Sequence, residues 1–241
     1  NSLSYALMLK QAHASLLSWI EQVIEGLELL AQKNKDIAMM SRTHGQPASP
    51  TTLGKEINVF LTRIKKEYAS LLKSKFYAKW GGATANYNPH LLAFPGEDWI
   101  SHSNDFLKHL DIELTVVATQ IEPHDYMAEL FQNIQRFNTI ILDLNRDIWT
   151  YISLDYFSLK MSKDEVGSST MPHKVNPIDF ENAEGNIGLA NAIFSHLSEK
   201  LPVSRLQRDL SDSTVLRNVG TAYGYVETVS YTHLRAHETL D

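Results

Sequence analysis

The densest group of chemically useful side chains lies in the segment 158–176, where hydroxyl, imidazole, ammonium and amide groups follow one another closely. Nine consecutive positions contain Ser168, Ser169, His173, Lys174 and Asn176. Serine or histidine can accept a proton, lysine can neutralise an anion, and an amide can donate a hydrogen bond to developing negative charge. A role in chemistry is one interpretation of this group, and the alternative is a solvated loop of turn-forming residues, which has a similar composition.

Two other polar segments carry histidines, whose side chain titrates near neutral pH and suits proton donation to a leaving group. His44 lies in SRTHGQPA at residues 41–48, and His124 lies in TQIEPHDY at residues 119–126. From residue types alone, His44 is more often a structural hydrogen-bonding residue than an acid. His124 precedes a long predicted helix, where capping or subunit packing is favoured. The sequence contains no HExxH motif or comparable paired spacing, so no metal site is predicted.

A third candidate segment, SRLQRDLSDSTVLRN at residues 204–218, combines arginines with a predicted helix start at Asp212 or Ser213. A helix N-terminus with unpaired N–H groups, a serine hydroxyl and guanidinium groups is suited to binding a phosphate or carboxylate. A break near Ser211 would let Arg208 and Arg217 converge. The alternative is an ordinary surface ion pair between Arg208 and Asp212, four residues apart.

Composition limits the classes of function. The 241 residues include 43% hydrophobic residues, enough for a sizeable core, and 22 basic against 28 acidic residues give a net charge of -6. That balance argues against nucleic acid as a partner. The chain has no cysteine, which excludes disulfides and thiolate chemistry and is typical of a reducing, cytoplasmic location. No apolar stretch is long enough to span a membrane, so no membrane partner is predicted.

Apolar residues at alternating steps of three and four predict long amphipathic helices. The longest predicted helix spans about residues 123–157, roughly 50 Å at 1.5 Å per residue, which implies packing against helices of other subunits. Other helices are predicted near the start, after Pro50, after Pro177 and from Asp212 or Ser213. The predicted inward positions are Leu16, Ile20, Val23, Leu27, Leu30, Leu53, Ile57, Phe60, Ile64, Met127, Leu130, Ile134, Phe137, Ile141, Leu144, Ile148, Tyr151, Ala183, Ile187, Ala190, Phe194 and Leu197.

The predicted class is all-α, because no segment has the sustained period-two alternation of a half-buried sheet and only LTVVA at residues 114–118 is a short β-branched exception. Polar connections are expected at residues 36–50, 79–95 and 158–176. Residues 1–229 are interpreted as one helical domain truncated at both ends. Residues 230–241 are interpreted as a non-native tail, with helical continuation as the alternative.

The run GSSTMPHKVNP at residues 167–177 resembles the GSS-x-MP-x-K-x-NP loop of the aspartase/fumarase superfamily. The histidine between Pro172 and Lys174 favours the adenylosuccinate lyase family within it. SRTHGQPA and TQIEPHDY are similar to segments of the same family, particularly its bacterial form. The resemblance extends from residue 1 to about residue 229 and implies an elongated helical bundle.

The resemblance also implies roles for individual residues. Ser168 would be the base, activated as an alkoxide by nearby positive charge, and His44 would protonate the leaving nitrogen. Lys174 and Asn176 would stabilise the carbanion intermediate. The residues implied to contact the nucleotide substrate are Gln120, Asn182, Arg208, Ser213, Thr214, Val215, Leu216 and Arg217.

The implied reaction is a β-elimination that releases fumarate from adenylosuccinate, and also from the succinyl-carboxamide ribotide of purine biosynthesis, without a cofactor. Family members are homotetramers whose active sites combine segments of three subunits. Two alternatives remain from the sequence: a different lyase of the superfamily acting on a succinyl-amino acid or malate, or a helical assembly fragment without activity.

Overall fold

The computed structural model of the chain describes residues 1–159, 171 and 175–238, with side chains described as far as residue 229. The candidates Ser168, Ser169, His173 and Lys174 lie outside the described residues. The described helices are α1 (Ser2–Lys33), α2 (Leu53–Leu71), α3 (Asn88–Ala93), α4 (Trp99–Lys108), α5 (Asp125–Ser153), α6 (Ile178–Lys200), α7 (Ser211–Leu216) and α8 (Val219–Glu238). The described strands are β1 (Ala38–Thr43), β2 (Gln46–Thr52), β3 (Tyr77–Ala78) and β4 (Glu113–Leu114).

Five long helices form a closed bundle in which each packs against two neighbours, in the order α1, α2, α5, α6, α8 and back to α1. The predicted inward positions of α5 and α6 are buried, except that Tyr151 is half-buried. Ala183 and Ala190 leave room for close helix packing, and the rings of Phe131 and Phe194 lie 5.2 Å apart across the α5–α6 contact. The all-α prediction for the core is confirmed.

Two hydrogen bonds donated by side chains show that α5 and α6 run in opposite directions. The hydroxyl of Ser198 donates to the carbonyl of Ala128 near the start of α5. At the other end of the pair, Nε1 of Trp149 donates to Oε1 of Glu181 over 3.1 Å. The start of α6 therefore lies beside the end of α5, and its end lies beside the start of α5.

The connection expected at residues 36–50 is instead a hairpin, in which β1 pairs antiparallel with β2. Its residues are mostly exposed on both faces, so the hydrophobic alternation that would have predicted strands is absent. The β-branched exception LTVVA, at residues 114–118, is in a strand only at its first residue. Strand β4 pairs with β3 only as far as Leu114, and the side chain of Val117 is 88% exposed.

The predicted helix starts are correct to within a few residues. Helix α5 begins at Asp125 after His124, α6 begins directly after Pro177, and α7 begins at Ser211. The backbone of α8 continues as a helix to Glu238, and the interpretation of residues 230–241 as a non-native tail stays a prediction. Within the described residues, no helix is both long enough and apolar enough to cross a membrane.

Candidate active site

A pocket of about 350 Å³ opens at the end of the bundle where α5 begins. It brings together residues from four separate parts of the chain. Those used below are Lys79, Gln120, Glu122, His124, Arg208 and Ser213. Four of the eight predicted nucleotide contacts, Gln120, Arg208, Ser213 and Leu216, therefore share one cavity.

Main-chain contacts hold Gln120 in this pocket. Its backbone N–H donates to the carbonyl of Gln207 over 3.2 Å, which joins the segment before α5 to the segment before α7. The carbonyl of the preceding residue, Thr119, accepts a hydrogen bond of 3.0 Å from Nζ of Lys79. Burial lowers the pKa of this lysine from its usual value. Lys79 was not predicted as a site residue, because no motif marks it.

Arg208 lies half-buried in the pocket and has no carboxylate partner among the described residues. Its Nε atom is buried without a hydrogen-bond partner there. The surface pair considered between Arg208 and Asp212 is not observed, and Arg205 pairs with Asp209 at 2.7 Å instead. Hydrogen bonds from the hydroxyl and N–H of Ser211 lower the pKa of Asp209 to about 2. No carboxylate in the described part of the chain thus neutralises the guanidinium of Arg208, which suits it to binding an anion.

Glu122 and His124 form a buried pair at the pocket wall, each 4% exposed. One oxygen of Glu122 accepts the backbone N–H of His124 over 2.7 Å, and the other accepts the hydroxyl of Thr115 over 3.2 Å. The backbone of His124 has a positive φ of 68°, and its side chain does not cap α5. The side chain of His124 therefore does not cap α5, and subunit packing stays a prediction for this residue.

His44 lies at the opposite end of the bundle, at the tip of the β1–β2 hairpin. Thr43 pairs with Gln46, so the loop consists of His44 and Gly45 alone, with φ values of 52° and 74°. The hydroxyl of Tyr156, just beyond the end of α5, donates to the carbonyl of Met40 over 3.2 Å. The hairpin is therefore attached to the C-terminal end of α5.

Asn176 and Asn182 also lie at this end, because α6 begins beside the end of α5. Asn182 is exposed, and its carbonyl and Oδ1 atoms accept hydrogen bonds from Nδ2 of Asn186. Neither asparagine lines the Gln120 pocket. Thr214, Val215 and Arg217 are likewise not among the residues that line it.

One copy of the chain therefore carries two separate groups of candidate residues. The two groups lie at opposite ends of α5, whose 29 residues give a length of about 43 Å at 1.5 Å per residue. The pocket group contains Gln120, Arg208 and Ser213, and the hairpin group contains His44 and Asn182. The two groups lie apart within a single copy, and the expectation that neighbouring copies bring them into one pocket stays a prediction.

Comparison with known proteins identifies the family. A family model described as "Lyase" matches residues 1–192. The chain belongs to the lyase family. Among curated relatives named adenylosuccinate lyase, the chain is similar to that of Vibrio cholerae, with 52% identity over 96% of this chain and 51% of the relative. It is 53% identical to that of Escherichia coli and 54% identical to that of Legionella pneumophila, each over 93% of this chain and 50% of the relative.

The chain thus spans about half the length of these lyase relatives. Its fold is also similar to the crystal structure of 3-carboxy-cis,cis-muconate lactonizing enzyme from Pseudomonas putida, with a TM-score of 0.83 and 20% identity. That similarity covers 100% of this chain and 53% of the other. It confirms the predicted helical bundle and concerns the fold alone.

Proposed function

We propose that the chain is part of a lyase that splits adenylosuccinate into AMP and fumarate, and that acts on the succinyl-carboxamide ribotide in the same way. The observation that carries this proposal is the cavity shared by Gln120, Arg208 and Ser213, with an arginine that has no carboxylate partner among the described residues. The 52–54% identity to bacterial adenylosuccinate lyases supports the same substrate class.

In this proposal the Gln120 pocket binds the nucleotide part of the substrate. Arg208 would bind the phosphate through charge-assisted hydrogen bonds, and the hydroxyl of Ser213 would donate to the same group. The amide of Gln120 can both donate and accept, which suits a heterocyclic base or a succinyl carboxylate. Glu122 has both oxygens engaged by protein groups, so its negative charge is directed away from the bound anion.

The chemical step needs one proton removed and one donated. The alkoxide of Ser168 would take the proton from the carbon next to a carboxylate, and the electron pair would form the carbon–carbon double bond as the C–N bond breaks. His44 would donate a proton to the leaving nitrogen, which gives AMP and fumarate. Lys174 and Asn176 would stabilise the carbanion through a positive charge and an amide N–H.

We further propose that each active site is shared between copies of the chain in a homotetramer. The pocket group and the hairpin group lie at opposite ends of α5, so an antiparallel arrangement of two copies would bring one group of each copy against the other. The hairpin is largely exposed in the single chain, as expected for a segment that reaches a neighbouring copy. We propose that this assembly acts in the cytoplasm, which agrees with a chain that lacks cysteine.

The direct test is to follow the absorbance change on adding adenylosuccinate to two proteins. One is this chain, and the other, the extended chain, is completed at both ends with the corresponding regions of the Escherichia coli relative. Turnover in the extended chain alone would support the site and show that this chain by itself is an assembly unit. Absence of turnover in both would contradict the proposed reaction.

A test of substrate class uses Arg208→Gln in the extended chain. If the substrate were a succinyl-amino acid or malate, which carries no phosphate, this change would leave turnover of that substrate unaffected. A loss confined to the nucleotide substrate supports the proposal.

A further inference from the structure

The turn that carries His44 is held in a conformation that a histidine does not adopt freely. Both central residues of a two-residue turn of this kind need positive φ, and asparagine or glycine usually occupies the first position. A side chain with φ near 52° in this region is strained by contact between its Cβ and the backbone. Surrounding contacts must therefore hold His44 in place.

Arg42 makes the contact that reaches this turn. Its Nη1 atom donates over 3.0 Å to the carbonyl of Gly45, the residue that directly follows His44. The side chain thus crosses the base of the turn and fixes the direction of the Gly45 carbonyl. Arg42 also sits where the hairpin register shifts between Met40 and Arg42.

Tyr156 holds Arg42 from the other side. The guanidinium carbon of Arg42 lies 5.6 Å from the centre of the Tyr156 ring, a distance typical of a cation–π contact. The hydroxyl of the same tyrosine donates to the carbonyl of Met40 over 3.2 Å. The backbone N–H of Tyr156 donates to the carbonyl of Tyr151 in the last turns of α5 over 2.9 Å, so the tyrosine is anchored to the bundle.

We propose that Arg42 and Tyr156 are positioning residues that hold the His44 turn at the end of α5. The inference rests on the proposed role of His44 as proton donor. Tyr156 also lies in the short segment that leads from α5 towards Ser168. Through this tyrosine, the hairpin that carries the candidate acid is attached to the start of the segment that carries the candidate base.

The arrangement predicts that Arg42 affects turnover only through His44. A donor displaced by a fraction of an ångström transfers its proton less often, but the nucleotide still binds at its own pocket. In the extended chain, Arg42→Gln and Tyr156→Phe should each lower kcat by about tenfold or more, with KM changed less than about twofold. Arg42→Lys should recover part of the loss, since an ammonium can still donate to the Gly45 carbonyl.

Arg63→Gln is the matched control. Its guanidinium also lies 5.6 Å from an aromatic ring, that of Phe60, and pairs with Asp143 on α5, but it is remote from the hairpin. This variant should keep kcat and KM unchanged. A tenfold loss in Arg63→Gln equal to that in Arg42→Gln would show a general structural effect and would overturn the inference.

The deciding experiment is a double-mutant cycle with His44→Ala. Arg42→Gln should lower kcat in the wild-type background and have no further effect in the His44→Ala background, because there is no donor left to position. An equal loss in both backgrounds would overturn the positioning role and leave the proposed function intact. Full turnover in His44→Ala itself would instead remove His44 as the donor, and with it this part of the proposed function.

Discussion

The backbone N–H of Gln120 donates to the carbonyl of Gln207 over 3.2 Å and so joins two segments that are far apart in the sequence. One segment precedes α5 and the other precedes α7. Because of this contact, the amide of Gln120 and the guanidinium of Arg208 line the same cavity. The pocket is therefore built by main-chain pairing, with side chains added at its wall.

The first prediction concerns Arg208, which we expect to bind the substrate phosphate. In the extended chain, Arg208→Gln should raise KM for adenylosuccinate by about tenfold to a hundredfold, which corresponds to the loss of one or two charge-assisted hydrogen bonds. Steady-state kinetics measure this change. The matched control is Arg205→Gln, since Arg205 is exposed and pairs with Asp209. Equal effects of the two variants would mean that Arg208 acts only through general surface charge.

The second prediction concerns Glu122, whose buried carboxylate accepts the N–H of His124 and the hydroxyl of Thr115. Glu122→Gln should lower the free energy of unfolding by about 1–3 kcal/mol, because an amide replaces one acceptor oxygen by a donor. Urea denaturation measures the change. Glu113→Gln, at an exposed carboxylate paired with Lys75, should have a much smaller effect. An unchanged free energy of unfolding in Glu122→Gln would show that the two hydrogen bonds do not hold the start of α5.

The third prediction concerns Gly54, at the close contact between the start of α2 and the end of α1. A Cβ atom there would lie 2.3 Å from the carbonyl oxygen of Ala31 and 2.6 Å from the Cα of Lys35. Gly54→Ala should therefore lower the free energy of unfolding by about 1–3 kcal/mol or more, since only backbone movement can relieve the overlap. Gly26→Ala in α1 meets nothing within 4 Å and should be neutral or stabilising by about 0.5–1 kcal/mol. If urea denaturation showed a larger loss of stability in Gly26→Ala than in Gly54→Ala, the described α1–α2 packing would be contradicted.

The fourth prediction concerns pH and His13, which is buried between α1 and α2. Its Nε2 atom lies 3.0 Å from the carbonyl of Leu71, and burial lowers the pKa of the imidazole below its usual 6.5. The unfolded chain thus binds a proton more readily than the folded chain, so stability is full above pH 6.5 and is lost as pH falls towards the folded-state pKa.

Urea midpoints measured from about pH 7.5 to about pH 5, an interval that includes the usual histidine pKa of about 6.5, check this dependence. His13→Gln keeps a donor for the Leu71 carbonyl and should flatten the decline. His196→Gln, at an exposed histidine of α6, should leave the decline of stability with falling pH unchanged. An unchanged slope in His13→Gln would assign the decline to other groups.

The helices could be predicted from the sequence because their inward faces repeat without interruption. The positions from Met127 to Ile148 are buried as the spacing predicted. The hairpin could not be predicted in this way, because Ala38–Thr43 and Gln46–Thr52 are largely exposed and carry no apolar face. The Thr-His-Gly-Gln order contains a turn signal, with glycine at the second loop position, but histidine at the first obscured it.

The candidate site was predictable as a set of residue types and motifs, and less so as a place in the fold. Gln120, Arg208 and Ser213 do share a cavity. Asn182 and His44 lie at the other end of α5, because helix direction depends on tertiary packing that local motifs do not encode. Lys79 acts through a contact with the carbonyl of Thr119, 40 residues away, which residue spacing does not reveal.

The central claim is that residues at opposite ends of α5 act together only when copies of the chain assemble. It is tested most directly by mixing equal amounts of two variants of the extended chain that each have a low kcat/KM, His44→Ala and Arg208→Gln, and measuring kcat/KM after the subunits exchange. The account predicts that kcat/KM rises above the average of the two parents, because roughly a quarter of sites combine an intact His44 with an intact Arg208 if copies mix at random. If the subunits exchange and kcat/KM stays at the average of the two parents, the shared-site account is contradicted.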